Sequence, residues 1–290
     1  MHHLIVNRQK LTRRNMRKLA EVEKIFKTAG IDYALHVTDY KGESCEIVTK
    51  LTSANEKCSI IVLGGDGSLH DILNGINDFD NTSLGLIPFG TGNDFAACAH
   101  IPNNTKKAAE IIVRGSTRKI DFIELASGLR SLNAVGMGID VDVLKRVYNG
   151  KNTKKSKYLR AFIVSLAKYK SCKFTVKYDG KVEEHFGLIC GISNGTQIGG
   201  GIKLYPEAKI DDGYLDLVMV DYISKISTVS AFIKLMRGKV NRVKQITAVK
   251  VKQAQIVAHG ETAIQADGEI YQNTPLDVTV AEAKLNFYLP

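Results

Sequence analysis

CSIIVLGGDGSLHDILNG (58–75) and SLGLIPFGTGNDFA (83–96) are the two stretches that decide the fold of this chain. Each begins as a short apolar run typical of a buried β-strand, turns at glycines, and continues with the residue spacing of a helix. Glycine accepts positive φ angles and lets a backbone approach a neighbour or a ligand closely. The sequence therefore predicts two successive strand–turn–helix units.

Both turns place carboxylates where a helix begins. A helix N-terminus presents N–H groups and the positive end of the helix dipole, which together favour an anion such as a phosphate. Asp66 and Asp94 lie inside these turns, where their charge repels a bare phosphate, so a divalent cation is expected between acid and phosphate. No G-x-x-x-x-G-K-S/T sequence is present, which excludes a Walker-type P-loop. We therefore predict a magnesium–nucleotide site at the two turns.

Strand-like and helix-like segments alternate through the first 122 residues, which favours a doubly wound parallel sheet. In such a sheet the ligand loops lie at the carboxyl ends of the strands. A further helix is expected after Ser68, which is a candidate N-cap. The predicted strands are 4–7, 32–38, 58–63 and 83–89, and the other predicted helices are 15–28, 43–52 and 106–114.

After residue 122 the pattern changes to short strands separated by Asp-Gly, His-Gly and Gly-Lys turns. Such strands favour an antiparallel sandwich or barrel. Helical stretches are predicted at 142–170 and 228–237. We therefore expect an α/β domain over 1–122 and a mainly antiparallel β domain over 123–290, with the last strand free to return to the first domain. The two domains are expected to meet at a cleft.

Composition narrows the class of protein. The net charge of +10 points to an anionic partner or substrate, and no nucleic-acid-binding signature accompanies it. No apolar run approaches the roughly 18–20 residues that span a bilayer. The five cysteines form no C-x-x-C pair, which suits a reducing cytoplasm, and Cys58 and Cys190 fall in strand-like runs expected in the core.

The two turns resemble the diacylglycerol-kinase catalytic domain in its bacterial soluble form, whose members carry GGDGT and P-x-G-T-x-N-D-F-A. This resemblance covers nearly the whole chain. It implies a kinase that uses ATP and Mg²⁺ to phosphorylate the hydroxyl of diacylglycerol or a related lipid. The further matching blocks, in the family's order, are NAVGMGID (133–140), SNGTQIGGG (193–201), PEAKIDDGYLDLVMV (206–220) and QADGEIYQNTPLDV (265–278).

The resemblance also implies which residues hold the nucleotide, with Asp66 acting on Mg²⁺ directly or through water. The plain alternatives are a simple Asp-Gly turn at 66–67 and helix capping by Asn93 or Asp94. The implied nucleotide contacts are Asn7, Thr38, Gly64, Gly65, Asp66, Gly67, Ser68, Thr91, Asn93 and Asp94.

The block QADGEI (265–270) supplies the remaining acids. Strand alternation predicts that the side chains of Asp267 and Glu269 share one face. The resemblance implies that one of them is the base that takes the proton of the lipid hydroxyl, and the sequence does not separate the two. The alternative is an ordinary Asp-Gly hairpin turn.

A second metal locus is implied at AKIDDGYLD (208–216). By resemblance, carbonyl and carboxylate oxygens of Lys209, Asp212 and Tyr214 hold a structural Mg²⁺, and hard cations bind such oxygens readily. The alternative is a plain Asp-Asp-Gly turn between strands. Asp121 either joins a charge network or caps a strand.

The chain departs from the family at its first loop. Members begin I-N-P-x-x-G-x-G, whereas this chain has IVNRQKLTRR (5–14), which keeps Asn7 and lacks the proline and glycines. In the family this loop lines the nucleotide. Here either basic side chains replace the backbone N–H groups that would contact the nucleotide, or the loop is disordered. The basic residues of this loop are Arg8, Lys10, Arg13 and Arg14.

Two basic stretches contain no acids. The first, in which Tyr158, Leu159, Phe162 and Ile163 are interleaved, is a candidate for peripheral contact with an anionic membrane, and the alternative for such stretches is a solvated helix face. We expect a cytoplasmic lipid kinase that associates peripherally with the membrane. We expect no nucleic-acid partner, and a homodimer is possible. The rival hypotheses are an NAD kinase-like enzyme and a non-catalytic regulator that binds nucleotide or lipid. The stretches are Lys145, Arg146, Lys151, Lys154, Lys155, Lys157, Arg160 and Lys234, Arg237, Lys239, Arg242, Lys244, Lys250, Lys252.

Overall fold

The computed structural model describes residues 1–54, 56–90, 92–148, 155–169, 171–221, 224, 234, 243, 246–260 and 262–290. The chain forms two units. The first unit comprises residues 1–121 and 282–290, and the second unit comprises residues 122–281.

The first unit alternates strands and helices, as the sequence predicts. A 3₁₀ turn at Arg8–Lys10 follows the first strand, so the atypical first loop is ordered. Its strands are β1 (His2–Asn7), β2 (Tyr33–Thr38), β3 (Cys58–Gly64), β4 (Thr82–Pro88) and β5 (Thr117–Ile120), and its helices are α1 (Arg13–Thr28), α2 (Glu43–Thr52), α3 (Asp66–Gly75), α4 (Asp94–Cys98) and α5 (Thr105–Arg114).

These strands form one sheet with a strand from the end of the chain, β17 (Leu285–Tyr288). Within the described residues the strand order is β2-β1-β3-β4-β17-β5, parallel except for the antiparallel β5. Because β2 and β3 lie on opposite sides of β1, the order reverses at β1. In open α/β sheets, ligands bind outside the carboxyl ends of the strands at such a reversal.

The core of the first unit lies around its central strands, where Ile60, Ile61 and Leu84 have no exposed surface. Helix α3 begins three residues earlier than predicted, because Gly65 and not Ser68 is its N-cap. The apolar stripe of this helix is buried against the sheet as its spacing predicts. Its members are Leu69, Ile72, Leu73 and Ile76.

Strand β17 runs parallel to β4 and antiparallel to β5. Leu285 and Phe287 are fully buried, and the Phe287 ring packs 5.2 Å from the ring of Phe95 in α4. Lys284 forms an ion pair with the buried Asp121, so of the two alternatives for that aspartate the structure shows the charge contact. The end of the chain is therefore part of the first unit's core.

The second unit is mainly antiparallel β-structure, as the sequence predicts. Its strands are β6 (Ile123–Leu125), β7 (Arg130–Ser131), β8 (Ala134–Gly138), β9 (Cys172–Tyr178), β10 (Lys181–Ser193), β11 (Leu215–Asp221), β12 (Ile246–Val251), β13 (Gln253–Ala258), β14 (Ile264–Ala266), β15 (Glu269–Tyr271) and β16 (Leu276–Val280). Its helices are α6 (Ile139–Tyr148) and α7 (Lys155–Lys168).

Among the described residues these strands form one sheet, in the order β15-β14-β8-β10-β9-β13-β16-β6-β7, and β11 joins β10 to β12. Phe174, Val176 and Cys190 lie in the main apolar cluster of the unit, so Cys190 is a core residue as predicted. Burial raises the pKa of the Cys190 thiol, which keeps it protonated.

The helical stretch predicted at 142–170 is two helices, α6 and α7, while residues 149–154 lie outside the described residues. The helix predicted at 228–237 lies almost entirely outside them as well. In the described part of the chain, no helix is both long enough and apolar enough to cross a membrane.

Two histidines meet on neighbouring strands of the first unit. Nδ1 of His3 on β1 lies 3.0 Å from Nε2 of His36 on β2. Burial lowers the pKa of both rings, and the nearby charge of His36 lowers the pKa of His3 further. Both rings therefore resist protonation in the folded chain.

We expect the free energy of unfolding to fall as the pH decreases below about 6.5, because the unfolded histidines bind protons that the folded pair resists. The free energy of unfolding stops falling once the pH is below the lowered pKa values of His3 and His36 in the folded state. The variant His36→Gln should flatten this dependence in urea unfolding measured between about pH 5 and pH 7. The exposed His100, changed to Asn, serves as control, and an unchanged slope in His36→Gln would contradict the assignment.

Candidate functional site

The two glycine turns of the first unit lie side by side at the carboxyl edge of its sheet. Gly64 at the end of β3 pairs in register with Pro88 at the end of β4. The carbonyl oxygen of Gly64 accepts hydrogen bonds from the N–H groups of Phe89 and Gly90, at 2.8 and 3.2 Å. The second turn is therefore tied to the first at the point where both strands end.

Gly65 and Gly90 bring the two turns into backbone contact. A Cβ atom on Gly90 would lie 3.1 Å from Cα of Gly65 and 2.7 Å from Oδ1 of Asn93. A Cβ atom on Gly65 would lie 3.1 Å from the same Asn93 oxygen. Neither position has room for a side chain, which explains why the turns need glycine here.

Asp66 joins the two turns through its side chain. Its Oδ2 accepts the N–H of Asp94 at 3.0 Å, and its Oδ1 accepts the N–H of Phe95 at 3.0 Å. These two amides belong to the first turn of α4, where backbone donors have no partner within the helix. Asp66 therefore caps α4 from α3, and carboxylate oxygens with two lone pairs each keep the capacity to accept further ligands.

Asn93 lies at the centre of the second turn, in the left-handed conformation with φ 53°. Its Nδ2 donates to the carbonyl of Gly90 at 3.0 Å and to Oδ1 of Asn103 at 3.1 Å. Its Oδ1 is buried and accepts no hydrogen bond from the described residues. An acceptor left in this state destabilises a protein unless a donor from a ligand or water meets it. The Asn93 oxygen is therefore suited to a ligand that offers an N–H or O–H group.

A small cleft of about 30 Å³ opens beside the first turn, lined in part by Asn7, Thr38, Ser68 and Asp71. Asn7 ends β1 and Thr38 ends β2, and the two residues pair in register. The Oδ1 of Asn7 accepts the N–H of Gln9 at 2.8 Å, which starts the 3₁₀ turn of the first loop. The structure thus brings three of the predicted nucleotide contacts to one cleft at the strand-order reversal.

Of the basic residues in the first loop, Arg8 binds Asp39, the residue that follows β2. Its Nε forms an ion pair with Oδ1 of Asp39, and a second nitrogen donates to Oδ2 at 3.3 Å. The hydrogen bond from Arg8 lowers the pKa of the Asp39 carboxyl. The loop after β1 is therefore linked to the loop after β2.

Lys18 is a neighbour of the second turn that the sequence analysis did not identify. Its Nζ lies 3.4 Å from the carbonyl oxygen of Pro88 and 5.3 Å from the centre of the Phe89 ring. Burial lowers the pKa of this amine. Nothing in the helical pattern of α1 distinguishes Lys18 from its basic neighbours. Thr91, a predicted nucleotide contact, lies outside the described residues.

In the second unit, Asp267 and Gly268 form the two-residue turn between β14 and β15. Their φ angles are 50° and 89°, as in the type I′ turn whose twist suits a hairpin. The prediction that Asp267 and Glu269 share a strand face is wrong, because Asp267 is a turn residue and Glu269 begins β15. Aspartate tolerates this left-handed conformation better than most residues.

The carboxylate of Asp267 accepts four hydrogen bonds from one short segment. Its Oδ1 accepts from Oγ of Ser131 at 2.7 Å, the N–H of Asn133 at 2.9 Å and the N–H of Ala134 at 3.1 Å. Its Oδ2 accepts the N–H of Leu132 at 2.9 Å. Four donors hold the charged form of this acid in place. Asp267 thus fixes the hairpin that carries Glu269.

The predicted metal locus contains an ammonium group. Nζ of Lys250 lies 2.8 Å from Oδ2 of Asp212 and 3.4 Å from Oδ2 of Asp216. The other oxygen of Asp212 accepts the N–H of Tyr214 at 3.1 Å. Within the described ranges, no three His, Cys, Asp or Glu side chains are arranged to hold a metal ion. The carboxylate of Asp212 therefore does not fit a bound divalent cation in this arrangement.

One residue of the first basic stretch has an internal role. Nε of Arg146 in α6 donates to Oδ2 of Asp142 at 2.9 Å and to Oγ of Ser165 in α7 at 3.0 Å. Arg146 therefore links the two helices. Most of the second stretch, and residues 151 and 154 of the first, lie outside the described residues.

A doubly wound sheet with two glycine turns at its carboxyl edge, followed by an antiparallel β unit, is the fold class of the diacylglycerol kinase and NAD kinase structures that this chain resembles. The model of the diacylglycerol kinase catalytic domain matches residues 2–125. The model of the YegS C-terminal NAD kinase beta sandwich-like domain matches residues 133–288. The chain belongs to this diacylglycerol kinase family.

Individual relatives agree with this assignment. A diacylglycerol kinase of Staphylococcus aureus (strain JH9) is 27% identical over 271 residues, which cover 90% of this chain and 84% of that protein. The crystal structure of a diacylglycerol kinase from Bacillus anthracis str. Sterne has 25% identity and a TM-score of 0.80, covering 100% of this chain and 96% of that one. The fold is shared by an NAD kinase from Archaeoglobus fulgidus in complex with ATP. That structure is 12% identical in sequence, with a TM-score of 0.55, and the match covers 99% of this chain and 93% of that one.

We expect Asp66→Ala to lower the free energy of unfolding of the first unit by about 1–2 kcal/mol, because two amides of α4 lose their acceptor. Urea unfolding measures the change. The exposed Asp80, changed to Ala, removes the same charge and is expected to stay within about 0.5 kcal/mol of the wild type. Equal stability of the two variants would show that the Asp66 contacts contribute nothing.

Asp267→Asn should destabilise the second unit by about 1–3 kcal/mol, since an amide cannot accept all four hydrogen bonds. Glu269→Gln, two residues away, should remain within about 0.5 kcal/mol of the wild type. Thermal and urea unfolding of both variants measure the difference. The structural role of Asp267 is rejected if the two variants unfold alike.

Proposed function

We propose that the chain is a lipid kinase that transfers the γ-phosphoryl group of magnesium ATP to the hydroxyl of diacylglycerol or a related lipid. The observation that carries the proposal is the pair of glycine turns joined by Asp66 at the carboxyl edge of the sheet. Phosphoryl transfer depends mainly on positioning and on compensation of phosphate charge. Two ordered turns with helix N-termini supply both.

The nucleotide contacts are proposed for the first unit. The backbone of Gly64, Gly65 and Gly67 and the hydroxyl of Ser68 face the phosphates in this proposal, and Asn7 and Thr38 line the adjoining cleft. Asn93 supplies an acceptor for a donor group of the nucleotide. Mg²⁺ arrives with ATP as part of the substrate, and Asp66 and Asp94 are the acids proposed to face it.

Glu269 is the proposed proton acceptor. The carboxylate of Asp267 already accepts four hydrogen bonds, which favour its charged form and leave it poorly suited to take a proton. Glu269 begins β15 and is partly exposed. In the proposed reaction its carboxylate removes the hydroxyl proton, the lipid oxygen bonds to the γ-phosphorus, and the bond to the β-phosphate oxygen breaks to release ADP.

Peripheral contact with an anionic membrane is proposed as the route to the lipid. The excess of ten positive charges supports it, since anionic headgroups attract basic segments. Ile163 on α7 is 51% exposed and is available for insertion among headgroups. The proposal places the enzyme in the cytoplasm at the membrane surface.

Transfer of labelled γ-phosphate from ATP to lipids in mixed micelles tests the function. We expect product with diacylglycerol or a related acyl lipid, and a loss of kcat by about 10²–10⁴ in Glu269→Gln because general base catalysis contributes in that range. Asp267→Asn keeps the proposed base and should retain more activity, with the acid limb of its pH–rate profile preserved.

Two further arms separate the rival functions. Supplying NAD in place of lipid tests for an NAD kinase, and phosphorylated NAD without phosphorylated lipid would overturn the proposal. Calorimetry with magnesium ATP tests the regulator hypothesis, since binding without turnover of any lipid would establish that the chain is not a kinase under these conditions. Wild-type kcat in Glu269→Gln would exclude Glu269 as the base.

A further inference from the structure

Lys250 on β12 contacts two carboxylates, Asp212 and Asp216, near the start of β11. It lies directly opposite Asp216 in the antiparallel pairing of β11 with β12. The Asp216 side chain is only 9% exposed, and that of Asp212 is 23% exposed. One ammonium group therefore contacts a nearly buried acid and a partly buried acid at once.

The electrostatics of this cluster depend on Lys250. Burial raises the pKa of the Asp216 carboxyl, Lys250 lowers it, and the carboxylates of Asp212 and Glu207 raise it again. Burial lowers the pKa of Lys250, but its contacts with Asp212 and Asp216 outweigh that effect and the pKa is raised. Lys250 is within hydrogen-bonding distance of both carboxylates, 2.8 Å from Asp212 and 3.4 Å from Asp216, and supplies the positive charge between them.

The same ion pair shapes the preceding loop. Asp212 bonds to the Tyr214 N–H through one oxygen and to Lys250 through the other, and Gly213 between them has φ 75°. A second lysine, Lys252, lies 5.4 Å from the centre of the Tyr214 ring. Two lysines of neighbouring sequence therefore fix the loop at 212–214.

We propose that Lys250 is the resident cation of this locus, so that the loop at 209–214 folds without a divalent metal. Mg²⁺ and Ca²⁺ bind carboxylate oxygens at about 2.0–2.6 Å, on the same surface of Asp212 that the ammonium group already contacts. A divalent cation there would also meet the charge of Lys250 at close range, where like charges repel strongly. The proposal concerns the structure of the second unit and is independent of the substrate.

Metal content and chelator sensitivity of the wild-type protein give the first test. In the absence of nucleotide, we expect less than 0.1 equivalent of tightly bound divalent metal by elemental analysis. The melting temperature should be the same, within about 1 °C, in EDTA, Mg²⁺, Ca²⁺ and Mn²⁺. One metal per chain that disappears in Asp212→Asn, together with a lower melting temperature in EDTA, would overturn the proposal.

Removing the lysine gives the second test. Lys250→Met should lower the melting temperature by about 2–5 °C, because uncompensated acids remain together. Adding Ca²⁺ or Mn²⁺ should then recover part of the loss in Lys250→Met, and not in the double variant Lys250→Met with Asp212→Asn. Lys177→Met, which replaces an exposed lysine near the end of β9, is the matched control and should show neither effect.

The stability of the lysine variants decides whether Lys250 acts as the cation of this locus. A Lys250→Met variant as stable as the control, with no response to metal, would show that the lysine is not needed as a cation. If Lys250→Met does not fold, Lys250→Arg tests the same point, since it keeps the charge and should melt near the wild type without responding to metal. Stabilisation of wild type by Ca²⁺ or Mn²⁺ alone would also contradict the proposal.

Discussion

The contact between Asp66 and the start of α4 determines how the first unit can bind a ligand. Parallel strands bring the turns after β3 and β4 to the same edge of the sheet, but adjacency alone leaves two independent loops. The carboxylate of Asp66 binds two amides of the other turn, and Gly65 and Gly90 allow the backbones to touch. The two turns then form one continuous surface at the carboxyl edge of the sheet.

An aspartate of the second unit is used in the same way. Asp66 and Asp267 each precede a glycine, and each binds backbone amides of a segment distant in sequence. A charged acceptor bound to several N–H groups forms strong, short-range contacts that fix both partners. In each unit the acid of one Asp-Gly pair fixes local structure, and the chemistry of proton transfer is proposed for a neighbour of Asp267, Glu269.

Most of the fold could be predicted from the sequence, because periodicity and glycine turns are local signals. The parallel sheet, its first four strands and the antiparallel character of the second unit all follow from such patterns. The position of Asp267 did not follow, since strand alternation competes with the turn preference of Asp-Gly and the turn prevailed.

Contacts between distant segments could not be read from the sequence at all. Asn103, Lys18 and Ser131 carry no motif, and each contributes through a partner that only the folded chain brings near. Lys250 belongs to the second basic stretch, for which the sequence favours a solvated face. Its pairing with Asp212 depends on the register of β11 and β12, which no local pattern specifies.

The insertion of β17 between β4 and β5 affects how this chain is made. Leu84 and Phe287, paired across the sheet, are about two hundred residues apart, and the whole second unit (residues 122–281) lies between them. During synthesis on the ribosome, β4 and β5 therefore remain without their shared neighbour until the second unit has been translated. Unpaired strand edges attract other chains. The nascent first unit is thus expected to need chaperone protection longer than a domain whose strands are consecutive in sequence.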